Sequence, residues 1–320
     1  MCNVPFPSRA FLLALASLLL VFLAGCGEKS APPSSSSGEQ SQPPGTAVSN
    51  VLTPTASGVE VLGNERVEID ASNASQGYLM IRYLGENPKV KLRTQKDGSP
   101  IYTYALNSDG AYETFPLSEG DGAYTVTVYE NVSGKEYATA FSTTVNVTLE
   151  NEFIPFLYPN QYVNFSAGSQ TVQKGAQLAA TAGDEIGVIE NIYHYCIDSI
   201  SYDTEKAKQV EDGRLSGYLP QVDEVLASGQ GICFDYAAVM CAMLRSQSIP
   251  TKLVVGYSGE VYHSWLNVYS KEEGWIDGVI YFDGKSWKLM DPTFASGGKD
   301  NPEILKYIGD GDNYTPNYIY

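Results

Sequence analysis

Residues 231–250 read GICFDYAAVMCAMLRSQSIP, and from Cys233 to Ser246 almost every side chain is apolar. A helix that is apolar on every side has no face to give to water. It belongs in the middle of a domain, with other elements packed around it. It stops near Ser248-Ile249-Pro250, because proline disfavours helix for the residue before it. Four strand-like runs follow, at residues 251–257, 261–269, 275–282 and 287–291, separated by Gly259, Gly274 and Asp283-Gly284. A central helix packed on an antiparallel sheet predicts an α+β domain. Upstream, Ile186, Ile189, Tyr193, Ile197 and Ile200 recur at helical spacing behind an N-cap at Asp184. Residues 222–227 form one more short helix. His194 stands beside the stripe, as a surface or edge histidine.

The region before this has a different period. Runs at 78–83, 90–93, 101–104, 124–129 and 145–149 are rich in aromatic and β-branched residues, and the last two alternate apolar and polar. Asp97-Gly98, Asp109-Gly110, Asp121-Gly122 and Ser133-Gly134 punctuate them as turns. This predicts an all-β, immunoglobulin-like sandwich over residues 48–168, followed by the α+β domain over 169–320. Nothing in the sandwich has the look of a reactive constellation, so it reads as a spacer or binding module.

Residues 10–25 are apolar or small except for one serine, too short for a comfortable membrane span but of the length of a signal-peptide core. The run ends in Leu23-Ala24-Gly25-Cys26, which resembles the lipobox of bacterial lipoproteins. The resemblance implies removal of residues 1–25, lipidation of Cys26, and a domain held at the outer, extracytoplasmic face of a bacterial membrane by its lipid alone. Residues 26–47 are dominated by Ser, Pro, Gly and Gln and read as a flexible tether reaching roughly 25 Å for about twenty residues.

The formal charge of −17 excludes a basic patch for nucleic acid. It favours solubility and repulsion from anionic surfaces. Beside Cys26, the processed chain retains Cys196, Cys233 and Cys241, too few for a disulfide framework. A Cys196–Cys241 bridge and two buried thiols are both open, the thiols preferred. No spacing matches a zinc site, and the chain has only two histidines, so neither a metal nor a cofactor is expected. Asp310-Gly311-Asp312-Asn313 lacks the later acidic ligand of a calcium loop and reads as a solvated turn.

Cys233 falls at the first turn of the buried helix. Unpaired backbone N–H groups and the positive end of the helix dipole face it and favour the thiolate, which is the nucleophile. The N–H of Cys233 is also the first candidate donor to an oxyanion. Gly229 and Gly231 are expected to leave room for a substrate backbone. Asp235, about 200° further around the helix, points away from the thiol and caps free N–H groups. A base and its orienting carboxylate are available in His263, which begins one strand, and Asp291, which ends another. Two neighbouring antiparallel strands would bring them together at one rim of the sheet.

Gly231-Ile-Cys233-Phe-Asp235-Tyr-Ala237, His263-Ser-Trp265 and Asp291-Pro-Thr293 together resemble, in order, the three motifs of the transglutaminase-like superfamily. Residues 244–250 are similar to the segment after that family's cysteine helix, except that Ser248 stands where the family commonly has Gly. The resemblance implies a papain-like α+β fold, a Cys233-His263-Asp291 triad, and acyl transfer from protein or peptide amides through a thioester, to an amine or to water. It also implies a second oxyanion donor upstream of the cysteine, for which Tyr218 and Gln230 are the candidates. The alternative is a non-catalytic adhesion or assembly module with an inert copy of the fold. The intact triad favours the enzyme. Trp265, Trp275 and Trp287 read as core or cleft wall, and Tyr314, Tyr318 and Tyr320 as packing back on the domain or lining the cleft.

Overall fold

Eight strands come first: β1 (Val61–Gly63), β2 (Val67–Asp70), β3 (Tyr78–Tyr83), β4 (Val90–Lys96), β5 (Tyr102–Leu106), β6 (Glu113–Pro116), β7 (Gly122–Ser133) and β8 (Glu136–Val147). They form two antiparallel four-stranded sheets, β1-β2-β3-β6 and β5-β4-β7-β8. The alternating runs behave as their period requires: Tyr124, Val126 and Val128 of β7 are buried, as are Tyr102, Tyr104 and Leu106 of β5, while Thr103 and Ala105 are exposed. Gly98 and Gly134, at positive φ, make the turns between β4 and β5 and between β7 and β8.

This computed structural model describes residues 51–277, 280–282, 287–289, 291–293, 296 and 313–320, all within one compact unit. Cys26, the predicted leader and tether, and the Asp310-Gly311-Asp312 turn lie outside the described residues.

The remaining elements are α1 (Gln170–Ala179), α2 (Glu185–Ser199), β9 (Ser201–Tyr202), α3 (Thr204–Glu211), α4 (Val222–Ser228), β10 (Gln230–Gly231), α5 (Cys233–Ser246), β11 (Thr251–Ser258), β12 (Val261–Ser270), β13 (Gly274–Ile276), β14 (Ile280–Phe282), β15 (Trp287–Leu289) and β16 (Tyr314–Ile319). The architecture is α+β: sheets first, then helices packed with an antiparallel sheet. α5 is the hub. It contacts α1, α2 and α4 as well as β11 and β12, and every residue from Asp235 to Ser246 is buried. Asp184 caps α2, accepting the Gly187 N–H at 2.8 Å. His194 is exposed. Cys196 and Cys241 are buried free thiols, not a bridge.

The structure departs from the sequence reading in three places. The run 275–282 holds two strands, not one: β13 pairs with β12, whereas, among the described residues, β14 pairs only with β15 in a separate two-stranded sheet. The helices α1 and α3 were not expected. The tyrosine-rich segment is a strand, β16, completing the sheet order β13-β12-β11-β16.

β16 also reaches the N-terminal sheets. Ser118 Oγ donates to Ile319 O at 2.6 Å, and Ile319 N–H to the Tyr102 hydroxyl at 3.2 Å. The Tyr320 ring packs against those of Tyr102, Tyr104 and Tyr162, with centroids 5.5, 5.9 and 4.4 Å away. Beneath it the buried Arg245 guanidinium donates to three carbonyls: Thr251 O (2.9 Å), Tyr158 O (2.8 Å) and Tyr320 O (2.7 Å).

The end of α5 explains why glycine suits position 248. Ser248 N–H bonds Arg245 O at 2.9 Å and Ile249 N–H bonds Leu244 O at 3.1 Å, a Schellman pair. The motif puts Ser248 at φ +62°, the left-handed region. Its side chain is strained there without being needed, since the residue is exposed. Ser248→Gly should raise stability by up to about 1 kcal/mol, read as an upward shift of the urea midpoint at unchanged slope.

Candidate active site

The N-terminus of α5 is pinned from behind. Asp235, fully buried, accepts the Ile232 N–H (2.9 Å), the Tyr218 hydroxyl (2.7 Å) and the Lys206 ammonium (3.1 Å). Its carboxylate caps the helix and is paired, so it does not oppose a thiolate at Cys233 as an unpaired charge would. Lys206 also donates to the Tyr218 hydroxyl at 3.2 Å, tying α3 to the site.

The two glycines serve the backbone, not a substrate. Gly229 caps α4 at φ +64°. A Cβ on Gly231 would lie 2.7 Å from the Asp235 Cβ, so the space beside it is already filled by the capping aspartate.

Cys233, partly exposed, opens the helix. His263, on β12, is buried and lines both hollows beside Cys233, close enough for the two side chains to interact electrostatically. Its Nε2 lies 2.5 Å from Asp291 Oδ2. Asp291 Oδ1 accepts the Thr293 N–H at 2.9 Å, and Oδ2 also receives the Tyr314 hydroxyl at 3.3 Å. Burial works to lower the imidazole pKa, but the Asp291 carboxylate and Cys233 outweigh it and raise it to about 10. The three side chains thus gather in the order Cys233, His263, Asp291, with His263 bonded to Asp291 and facing the hollow that Cys233 lines. The route differs from the sheet-rim expectation. Asp291 follows β15, which belongs to the separate two-stranded sheet, and Tyr314 of β16 helps hold it.

Trp265 stacks beside His263, with centroids 6.3 Å apart, and meets Tyr314 edge-on at 5.1 Å. Trp275 packs against Phe156 and Tyr269, away from the thiol, with Lys252 over its face at 3.7 Å. The side chain of Trp287 lies outside the described residues.

Two adjoining hollows, of about 420 and 360 Å³, meet at Cys233, His263, Ile232 and Tyr262. The larger is walled by Tyr162, Tyr218, Phe234, Tyr262 and Tyr320, and reaches Thr103 and Ala105 of β5. Tyr218 lines this hollow, but its one hydroxyl proton is directed at Asp235. Burial and that bond keep it protonated well above the ordinary tyrosine range. Gln230 is exposed and lines neither hollow. Tyr320 lines the hollow, one of the two places the sequence allowed it; Lys206 and Tyr162 were missed by sequence reasoning, because only the tertiary fold brings them to the site. Among the described residues, no group of His, Cys, Asp and Glu could hold a metal ion.

Comparison with known proteins places the helical part of the chain. Residues 173–278 match the transglutaminase-like superfamily, a stretch that includes Cys233 and His263 and stops short of Asp291. A UPF0252 protein of Methanocaldococcus jannaschii is 33% identical over 67 residues, 21% of this chain and 19% of that protein. The match therefore spans about a fifth of the length of that curated relative. Among solved structures, a candidate cysteine protease from Cytophaga hutchinsonii is 14% identical over 82% of this chain and 74% of its own, with a TM-score of 0.37. The periplasmic domain of TgpA from Pseudomonas aeruginosa is 12% identical over 84% of this chain and 89% of its own, with a TM-score of 0.34. The chain carries, over residues 173–278, a transglutaminase-like superfamily core.

Proposed function

We propose that this protein is a thiol enzyme that transfers or hydrolyses acyl groups of protein or peptide amides. The observation that carries the reading is His263, held between the Cys233 thiol and the Asp291 carboxylate beside an open cleft. The Cys233 thiolate attacks the amide carbonyl carbon. The C–N bond breaks as the leaving amine takes a proton from the His263 imidazolium, and a thioester remains on sulfur. An amine or water then attacks the thioester, gives its proton to His263, and releases the acyl product and the thiolate. Asp291 stabilises the charged imidazole and fixes its orientation without bonding to substrate. The Cys233 N–H at the helix start stabilises the oxyanion of the tetrahedral intermediate.

The test is incubation with a glutamine-containing peptide library and a labelled amine, scored by mass. Amine-bearing products identify crosslinking, and water-bearing products identify hydrolysis. Neither product from wild type, with Cys233 intact, would leave the adhesion-module alternative standing.

The N-terminal strand order supports an immunoglobulin-like sandwich over residues 48–168, with 169–320 as the catalytic domain. β4, β5, β7 and β8 form the four-stranded sheet of such a fold, and β3 and β6 pair in the other. For localisation, the Leu23-Ala24-Gly25-Cys26 sequence supports a lipid anchor at Cys26 on the outer face of a bacterial membrane. The mature protein is expected to fractionate with membranes, and Cys26→Ser to release it or stall its processing. A soluble, unlipidated mature wild type would end this part of the proposal.

A further inference from the structure

We propose that the free edge of β5 is the docking strand for substrate: an extended, uncharged peptide pairs with it through main-chain hydrogen bonds, and this leads its reactive carbonyl to Cys233. The inference rests on the acyl-transfer reading above and adds the substrate class and how it is held.

β5 lies at the edge of its sheet, and its register decides which groups are free. Asn131 N–H bonds Lys89 O at 3.0 Å, so the odd-numbered residues of β4 direct their backbone groups to β7 and the even-numbered ones to β5. Val90, Leu92 and Thr94 stand opposite Leu106, Tyr104 and Tyr102, which therefore spend their N–H and C=O on β4. Thr103 and Ala105 face the other way. A second contact agrees: the Gln161 side chain donates to Ala105 O at 2.6 Å from that outer side. Glu113 closes the strand's far end by accepting the Asn107 N–H at 2.7 Å. Among the described residues, Thr103 N–H, Thr103 C=O and Ala105 N–H are left open. That is the pattern an added strand would use, and a liability on a sheet edge that serves no partner.

This edge opens into the site. Thr103 and Ala105 line the same hollow as Cys233. Two ring contacts link the strand to the thiol's neighbour and bound the span: the Tyr104 ring of β5 lies 5.7 Å from that of Tyr162, which lies 5.5 Å from that of Phe234. Extended chain advances about 3.3 Å per residue, so three or four residues bridge two such steps. Among the described residues, no Asp, Glu, Lys or Arg lines the hollow. The charges it does hold, the Cys233 thiolate and the His263 imidazolium, offset one another, so a charged side chain entering it would lose water and gain no partner of its own, which selects an uncharged segment.

The experiment uses the full-length protein and uncharged decapeptides, each carrying one central glutamine. With wild type, N-methylation of a peptide amide three or four residues from that glutamine is expected to lower kcat/KM about tenfold, the size of one neutral hydrogen bond. Methylation at the peptide ends should change it less than twofold. Thr103→Pro removes the outward N–H without touching the β4 ladder, as proline tolerates on an edge. It should lower kcat/KM about tenfold and make the enzyme indifferent to which amide is methylated. Binding is read separately on Cys233→Ala by amide hydrogen exchange, where bound decapeptides should slow Thr103 and Ala105 at least about tenfold. Unprotected β5 amides together with equal turnover of all methylated peptides would overturn the docking strand while leaving Cys233 chemistry intact. If wild type is acylated by neither peptide nor a single-residue nitrophenyl ester, the enzyme reading fails, and the exchange measurement still decides the docking strand.

Discussion

Cys233→Ala is expected to abolish acyl transfer, lowering kcat/KM on the order of 10⁴-fold or more, since no other group can form the thioester. Asp291→Ala should cost less, because Asp291 acts through His263 and forms no bond to substrate. Thiol labelling gives an independent readout. Iodoacetamide at near-neutral pH should modify Cys233 well before Cys196 or Cys241. Both of the latter are completely buried, and burial raises both thiols, Cys241 up to about 12. His263→Ala should slow labelling of Cys233, because the buried imidazolium beside it is lost. The pH dependence has a definite sign. With His263 raised to about 10, its imidazole is charged through neutral pH, so the wild-type advantage over His263→Ala should persist there and fade above about pH 10. The same shift is linked to stability. Its contribution is fully present below about 6.5, the ordinary value, and is lost as pH rises through about 10. His263→Ala should lack that decline. A Cys233 labelled no faster than an ordinary exposed thiol, at a rate indifferent to His263, would sink the nucleophile assignment.

The second large effect is on stability. Arg245→Ala should lower the unfolding free energy by about 3–5 kcal/mol, because a buried guanidinium's packing and its three hydrogen bonds to backbone oxygens are lost at once, Tyr320 O alone keeping a second donor in the Leu253 N–H. Burial lowers the Arg245 pKa to about 10, which leaves it charged at neutral pH. Arg245→Lys keeps a charge but replaces the planar fork with a point donor, so it should recover only part of the loss. Urea unfolding of the three proteins measures this. A cost below about 1 kcal/mol for the alanine variant would show that water takes over the carbonyls.

What the sequence made legible follows from local physics. α5 could be read because an all-apolar helix bounded by a proline has few alternatives, and β3 and β7 because their aromatic and β-branched runs signal strand directly. His263 and Asp291 could be named from their order along the chain, but not the route by which they meet. The split of 275–282 depends on β14 choosing β15 over β12, a tertiary preference with no local marker. β16 was hidden for a related reason: Pro316 and the polar Thr315 and Asn317 sit inside it, and its partner β11 lies some sixty residues upstream. α3 has no buried residue and so no apolar stripe to detect, yet it supplies Lys206. The glycines at 229 and 231 were seen, but their purpose was misread, because only the fold shows the Asp235 side chain filling the space beside Gly231.

The placement of β16 has a consequence for the order in which the protein assembles. The contact between Tyr102 and Ile319 spans 217 positions, and that between Ser118 and Ile319 spans 201. Contacts of such separation carry the largest loop-closure cost and form late. During vectorial synthesis the N-terminal sheets and α5 emerge first, while Tyr314 and Tyr320 follow. Until they arrive, Asp291 lacks its Tyr314 contact and the cleft lacks one wall. The surroundings of Cys233 are therefore completed by the parts of the chain most distant from the N-terminal sheets.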